Sequence, residues 1–139
     1  MKNWFKTPKQ SNASSIGLLL IRLVVGLAFM YHGWSKIQNP FSWMGPDSGT
    51  PGIFQALAAL SEFGGGLSWA LGFLVPFFSL GILSTMVVAL RYHILVKGDP
   101  FVGQGGSYEV ALVYFSVAVL LLTAGPGKLS VDHKLFGEK

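Results

Sequence analysis

The sequence predicts an all-α protein, an integral membrane bundle of four antiparallel helices, and two observations lead to that prediction. Hydrophobic residues make up 51% of the 139 residues and charged residues only 12%, whereas an ordinary soluble domain has about 25% charged residues. The apolar residues also fall into four runs, each long enough to cross a hydrocarbon core of about 30 Å. We therefore expect one membrane domain over residues 16–125, with a short tail on each side.

The first segment, residues 1–15, is a basic tail that precedes the first apolar run. Arg22 interrupts the apolar core that a signal peptide needs, and no Ala-x-Ala cleavage site follows, so we expect the tail to stay attached. The first helix is predicted over residues 16–34, with Ser14 and Ser15 as candidate N-caps.

Proline and glycine separate the other three helices. Residues 39–52 hold three prolines and three glycines and form the first loop. Pro76 is the only break between the next two apolar runs, which as one helix would extend for about 60 Å, twice the thickness of a hydrocarbon core. A glycine-rich loop, 97–107, precedes the last helix, and 126–139 form a polar tail. The predicted boundaries of the second, third and fourth helices are 53–75, 77–96 and 108–124.

The positions of the lysines set the expected orientation. The two tails carry six lysines, whereas the loops carry only Lys36 and Lys97. Because short cytoplasmic segments are rich in Lys and Arg, both termini should be cytoplasmic, in a multi-pass protein of the cell inner (plasma) membrane. An even number of crossings requires the same arrangement. We therefore interpret the net charge of +4 as a sign of topology in membrane lipid, with no nucleic acid partner.

Ionisable side chains inside the apolar runs are the candidate functional residues, since each costs roughly 2.5 to 3.5 kcal/mol at mid-membrane. Counting helical rise places most of them near the outer surface, with Glu62 deeper, so one polar pocket open to the outside is predicted. Arg22 lies instead about two turns from the cytoplasmic end of the first helix. The full set is Arg22, His32, Lys36, Glu62, Arg91, His93 and Glu109.

Each of these residues also has a purely structural interpretation. Arg22 can pair with Glu62 or reach the interface with its long stem. His32 and His93 either belong to a site or tune the interface, although the spacing of His93 with Gly81, Thr85 and Ala89 predicts that it faces the bundle. Glu109 can serve only the helix dipole, and Lys36 can serve as an interface anchor. Glu62 is different, because a short, deep carboxylate cannot reach water and is suited to proton transfer.

The sequence supports no bound metal, haem or nucleotide. Cysteine is absent, which excludes disulfides, iron–sulfur clusters and dithiol chemistry. The Glu-x-x-His pairs of di-iron bundles are missing, and no persuasive haem pair is present. The glycines at 103–106 lack the strand-to-helix setting of a nucleotide motif.

Five short motifs are spread along the first, second and fourth predicted helices and the start of the C-terminal tail. They are the run Gly17 to Arg22, His32-Gly33 with Lys36, Glu62-Phe-Gly-Gly-Gly66, Tyr108-Glu109-Val-Ala-Leu112, and Gly125-Pro-Gly127 followed by Ser130 and Asp132. Together these motifs resemble the DoxX family of small four-helix membrane proteins, over roughly residues 16–132.

The resemblance implies a membrane component of a quinone- or quinol-linked oxidoreductase, or of a system that detoxifies quinones and catechols. Quinone would then be the ligand, and the partner a larger membrane oxidoreductase complex or a second copy of the chain. In that interpretation Glu62, His32 and His93 are catalytic proton partners. The substrate-binding residues are Arg22, Lys36, Arg91 and Glu109. The alternative is a non-catalytic membrane protein, either an accessory subunit or a carrier of a small solute.

Overall fold

The computed structural model describes residues 2–139 and is 69% helical, with no strand among those residues. The all-α prediction is therefore confirmed. The six helices, named α1 to α6, are Lys2–Phe5, Asn12–Gln38, Gly52–Leu71, Val75–Arg91, Glu109–Ala124 and Val131–Phe136, and α4 continues directly as a π-helical segment, Tyr92–Lys97.

Helix α2 is longer at both ends than the sequence predicts. Ser11 is its N-cap, because the Ser11 side chain accepts a hydrogen bond from the backbone N–H of Ser14 at 3.1 Å. The predicted cap residues Ser14 and Ser15 therefore lie inside the first turn. At 27 residues, α2 extends for about 40 Å.

The break between α3 and α4 lies before Pro76. Helix α3 ends at Leu71, and the turn uses left-handed backbone at Gly72 (φ 70°) and Leu74 (φ 51°). Pro76 then lies in the first turn of α4, where the missing N–H has no intrahelical partner to lose. The sequence prediction placed the boundary at Pro76 and was wrong by a few residues, because proline is tolerated in the first turn of a helix.

The C-terminal segment is ordered against the rest of the molecule. Ser130 caps α6 by accepting a hydrogen bond from the His133 N–H at 3.2 Å, and Asp132 in the first turn is buried. The expectation of a polar tail over 126–139 missed this helix, because a six-residue helix gives no periodic pattern to detect.

Small residues let α2 and α3 pack with their backbones in contact. A Cβ atom on Gly66 would lie 2.5 Å from the carbonyl oxygen of Gly26, and one on Gly33 would lie 2.5 Å from the backbone nitrogen of Phe63. The later residue of α2, Gly33, meets the earlier residue of α3, Phe63, and the earlier Gly26 meets the later Gly66, so the two helices are antiparallel. Close approach through glycine is typical of helix pairs in membranes.

Larger side chains fill the rest of the core. The Trp69 Nε1–H of α3 donates to Ser79 Oγ of α4 at 3.0 Å, and Phe29 of α2 packs on Tyr114 of α5 with ring centroids 4.5 Å apart. The buried apolar residues of the core are Leu18, Phe29, Trp69, Val75, Ile82, Met86, Ala111, Ala118 and Leu121.

Two helical segments are long and apolar enough to cross a membrane, Asn12–Gln38 and Val75–Lys97, with mean hydropathies of 2.1 and 1.6. Only 28% and 17% of their most apolar windows are buried within the molecule. The core helix of a soluble protein would bury most of that surface, because contiguous apolar patches are unfavourable in water. The exposed apolar faces are suited to lipid.

Candidate functional site

A partly buried ion pair joins α2 and α3 near the end of α2. Lys36 Nζ donates to both carboxylate oxygens of Glu62, at 2.6 Å each. The side chains are 23% and 6% exposed, respectively. Gly33, one turn before Lys36, allows the two helix backbones to meet beside Glu62. The close packing thus brings a short, deep carboxylate within reach of a long, half-buried cation.

The first loop and Lys36 form the walls of a cleft, with Glu62 behind Lys36 and outside the lining. Trp43 lies over Lys36, with 4.5 Å between Nζ and the ring centroid, a cation–π contact. The cleft has a volume of about 480 Å³, within the usual range for ligand pockets. Its lining combines hydrogen-bonding groups with one aromatic face, and consists of Ser35, Lys36, Asn39, Ser42 and Trp43.

Gln55, a buried residue in the first turn of α3, fixes the loop that carries Trp43. Its Oε1 accepts from the Met44 N–H at 3.0 Å, and its Nε2 donates to the Thr50 carbonyl at 2.9 Å. The Trp43 Nε1–H donates to the Gln55 backbone carbonyl at 2.9 Å. Sequence reasoning missed Gln55, although an amide in the first turn after a proline- and glycine-rich loop is a usable signal.

His93 belongs to a separate contact. Its Nδ1 lies 2.6 Å from Asp99 Oδ2, and the Asp99 N–H donates to the His93 carbonyl at 2.9 Å. The spacing on α4 predicted that His93 faces the bundle, but His93 lies in the π-helical segment, whose changed pitch breaks that register. His93 therefore holds the second loop.

The remaining predicted pocket residues do not join these contacts. His32 is exposed and lies edge-on to Tyr114, with ring centroids 5.9 Å apart. Arg91 is exposed, and Glu109 is half-buried at the start of α5. Within residues 2–139, no hydrogen bond or ion pair connects any two of His32, Glu62, Arg91, His93 and Glu109. The prediction of one polar pocket was therefore wrong, and these residues form separate contacts. Helical rise gives the position of a residue along a helix but not the direction of its side chain around the helix axis.

Arg22 lies far from the cleft and is only 1% exposed. Its Nε donates to the Trp69 carbonyl and its Nη2 to the Leu129 carbonyl, both at 2.9 Å, and its Nη1 donates to the Pro126 carbonyl. The pairing of Arg22 with Glu62 suggested by the sequence is wrong, because Lys36 takes that place. Arg22 instead satisfies backbone carbonyls where α3 ends and the chain turns toward α6.

Asp132 accepts hydrogen bonds from backbone N–H groups at the start of α4, as Arg22 donates to carbonyls at the end of α3. Its carboxylate oxygens accept from the N–H groups of Leu74 and Val75 at 2.7 and 2.9 Å. Burial raises the pKa of the Asp132 carboxyl, while these two N–H donors and the nearby Arg22 charge oppose the increase. Arg22 and Asp132 together hold the α3–α4 turn from both sides.

Comparison with known proteins places this arrangement in a family. The DoxX family model matches residues 17–97, which contain Arg22, Lys36, Glu62 and the α3–α4 turn. The chain is 29% identical over 131 residues to the inner membrane protein YqjF of Escherichia coli (strain K12), covering 86% of this chain and 92% of that protein.

A second relative comes from Haemophilus influenzae and bears only the name uncharacterized protein. It is 26% identical over 121 residues, covering 86% of this chain and 90% of the relative. No solved structure is significantly similar to the chain. The family match covers more than half of the sequence and agrees with the resemblance carried by its motifs: the chain belongs to the DoxX family of membrane proteins.

Proposed function

We propose that the protein is a membrane component of a quinone- or quinol-linked oxidoreductase, or of a system that detoxifies quinones and catechols. The observation that supports this function best is the Lys36–Glu62 pair beside a cleft with one aromatic wall, Trp43. A planar ring that carries oxygen atoms fits this lining, because it can stack on the indole and accept hydrogen bonds from Lys36 and the neighbouring hydroxyl and amide groups.

The ion pair offers a proton to a quinone in the cleft. Reduction of a quinone adds two electrons and two protons, and negative charge develops on the ring oxygens. The Lys36 ammonium stabilises that charge and can donate one of the two protons, the second coming from solvent in the open cleft. Glu62 lies behind Lys36, outside the cleft lining, so it exchanges protons with a ligand only through Lys36. The roles predicted for His32, His93, Arg91 and Glu109 stay predictions, because these residues neither line the cleft nor form a hydrogen bond or ion pair with Lys36.

Electrons have to come from outside the chain. The sequence contains no cysteine and therefore no dithiol carrier. The polar cleft supplies protons and positive charge, whereas quinone reduction also needs two electrons. We accordingly expect the protein to work with a membrane oxidoreductase partner or as a homo-oligomer that such a partner serves.

This proposal includes the topology. The four long helices cross the inner membrane as an antiparallel bundle, with both termini cytoplasmic and the cleft on the outer side. Because the chain has no cysteine, single cysteines at the exposed positions Asn3, Asp47, Gln104 and Glu138 report accessibility directly. In intact cells an impermeant thiol reagent should label only Asp47→Cys and Gln104→Cys, and labelling of Asn3→Cys or Glu138→Cys would overturn the orientation.

Ligand binding by the purified full chain tests the function. We would titrate 2-methyl-1,4-naphthoquinone and follow tryptophan fluorescence for the unchanged protein, Lys36→Gln, Glu62→Gln and the control Lys97→Gln. Loss of a charged hydrogen bond should weaken binding by roughly tenfold or more in the first two variants and leave the control unchanged. Absence of binding in the unchanged protein would contradict the proposal and favour a non-catalytic role.

A further inference from the structure

The two ends of the chain meet at one buried residue, Thr7. Its N–H donates to the Gly137 carbonyl, its carbonyl accepts from the Lys139 N–H, both at 3.0 Å, and its hydroxyl lies 2.8 Å from His133 Nδ1. The Phe5 ring packs on the Phe136 ring, with centroids 5.2 Å apart. These contacts join residues 3–10 and 128–139 into one surface, which we call the terminal platform.

The terminal platform concentrates positive charge. Lys6 and Lys9 flank Thr7 in sequence, and the other cationic residues lie on the segment bonded to it. Within the part of the chain that the structure describes, none of these side chains forms an ion pair, and Glu138 is the only exposed acid among them. The platform lysines are Lys6, Lys9, Lys128, Lys134 and Lys139.

Exposed apolar side chains lie among these lysines. Trp4, Leu129 and Leu135 are all exposed, and none of them belongs to the buried core. Tryptophan is favoured at the level of lipid headgroups, because its ring is amphipathic. Cationic and apolar side chains on one surface are typical of segments that lie in a membrane interface.

We propose that the terminal platform binds the headgroups of anionic phospholipids, with Trp4 and Leu135 inserted among the lipid chains. The apolar helices α2 to α5 adjoin this surface, so lipid headgroups lie at its rim when the helices are in a membrane. Each lysine near an anionic surface favours binding by about fivefold. A nucleic acid would meet the same charges but gives no role to the exposed Trp4 and Leu135. The Lys36–Glu62 cleft takes no part in this interaction.

The full chain, purified in a mild zwitterionic detergent, tests the proposal by native mass spectrometry. Phosphatidylglycerol and phosphatidylcholine with the same acyl chains are added in equal amounts, and the retained molecules of each are compared. The variant K9Q/K134Q removes two exposed platform charges, and R91Q/K97Q removes the same charge at the other end of α4. Far-UV circular dichroism confirms that both variants keep their helical content.

We expect the unchanged protein and R91Q/K97Q to prefer phosphatidylglycerol and K9Q/K134Q to lose at least fivefold of that preference. The preference should also fall as the ionic strength rises. Equal retention of the two lipids by the unchanged protein would overturn the proposal, as would an equal loss in the two variants. Brominated phosphatidylglycerol should quench the unchanged protein more than Trp4→Phe, and equal quenching would remove Trp4 from the interface.

Discussion

Arg22 and Lys36 lie on the same helix, about 21 Å apart along its axis, yet their surroundings differ completely. Arg22 donates to three backbone carbonyls and is sealed from solvent. Lys36 has one acidic partner, one aromatic neighbour and an open cleft. A cation in a membrane helix therefore does not indicate function by its presence, because the nature of its partners separates a structural charge from an accessible one.

The partners explain why the two cations are of different types. A guanidinium has five N–H donors in a fixed plane, so Arg22 can satisfy carbonyls from three separate segments. An ammonium is a compact point charge on a flexible stem, so Lys36 can bind Glu62 and can also turn toward a ligand in the cleft. Exchanging the two residue types should therefore weaken the contacts of both positions.

The largest expected change in the free energy of unfolding is at the buried cation, Arg22. Arg22→Met leaves the carbonyls of Trp69, Pro126 and Leu129 without their donor, and it should lower the free energy of unfolding by about 3 to 5 kcal/mol. Denaturant unfolding in detergent, followed by circular dichroism, measures the loss. A change below about 1 kcal/mol would show that Arg22 is not structural and would remove the contrast with Lys36.

The next effect is at the helix contact that brings Lys36 to Glu62. Gly33→Ala places a Cβ 2.5 Å from the Phe63 backbone nitrogen, which cannot move aside as a side chain would. We expect a loss of about 1 to 3 kcal/mol in the free energy of unfolding. Gly17→Ala is the matched control, because no atom lies within 4 Å of its new Cβ, so it should be neutral or stabilising. Equal effects of both variants would contradict the close packing of α2 and α3.

A smaller effect is expected at the loop. Gln55→Met keeps the length of the side chain but removes its bonds to Met44 and Thr50, so the loop that carries Trp43 is held less firmly. The bond from Trp43 to the Gln55 backbone carbonyl remains. The global stability should fall by about 1 to 2 kcal/mol, and amide hydrogen exchange in residues 42–50 should accelerate. Gln55→Glu keeps an acceptor for the Met44 N–H and should retain part of the protection. Unchanged exchange in Gln55→Met would show that the loop is held by other contacts.

The smallest effect is a pH dependence from Asp132. Because the folded pKa is raised above the ordinary value of about 4, the folded state binds more protons than the unfolded state, and stability should fall as the pH rises from about 4 through the folded pKa. Asp132→Asn should remove this slope. Stability of the unchanged protein that increases over the same pH range, with the slope still removed in Asp132→Asn, would contradict the upward direction.

The helices could be predicted from the sequence, but their ends and partners could not. Four apolar runs predict the long helices α2 to α5, whereas the start of α2 depends on a side-chain cap at Ser11 and the break before Pro76 depends on left-handed backbone. Neither feature is visible in hydropathy.

The partner of Glu62 could not be predicted, because it depends on direction around the helix and on side-chain reach. Lys36 lies near the end of α2 and reads as an interface anchor, yet its long side chain turns back onto Glu62. The contribution of α6 was also hidden, since Asp132 reaches the α4 N-terminus only after the chain turns at Gly125–Gly127. Long-range contacts of this kind leave no periodic signal.

The accessible character of Lys36, which Glu62 holds beside the cleft, is the central claim, and the double variant Lys36→Met with Glu62→Gln tests it most directly. Each single variant leaves one charged partner without its counter-ion and should be destabilised, Lys36→Met the more because Glu62 is the more buried of the two. The double variant removes both charges and should regain most of the stability. The measurement is the dissociation constant for 2-methyl-1,4-naphthoquinone, taken on all four proteins beside their unfolding curves. We expect the double variant to unfold like the unchanged protein but to bind the quinone at least tenfold more weakly. A double variant that regains both stability and quinone affinity would make the pair a structural contact, like Arg22, and would contradict the proposed site.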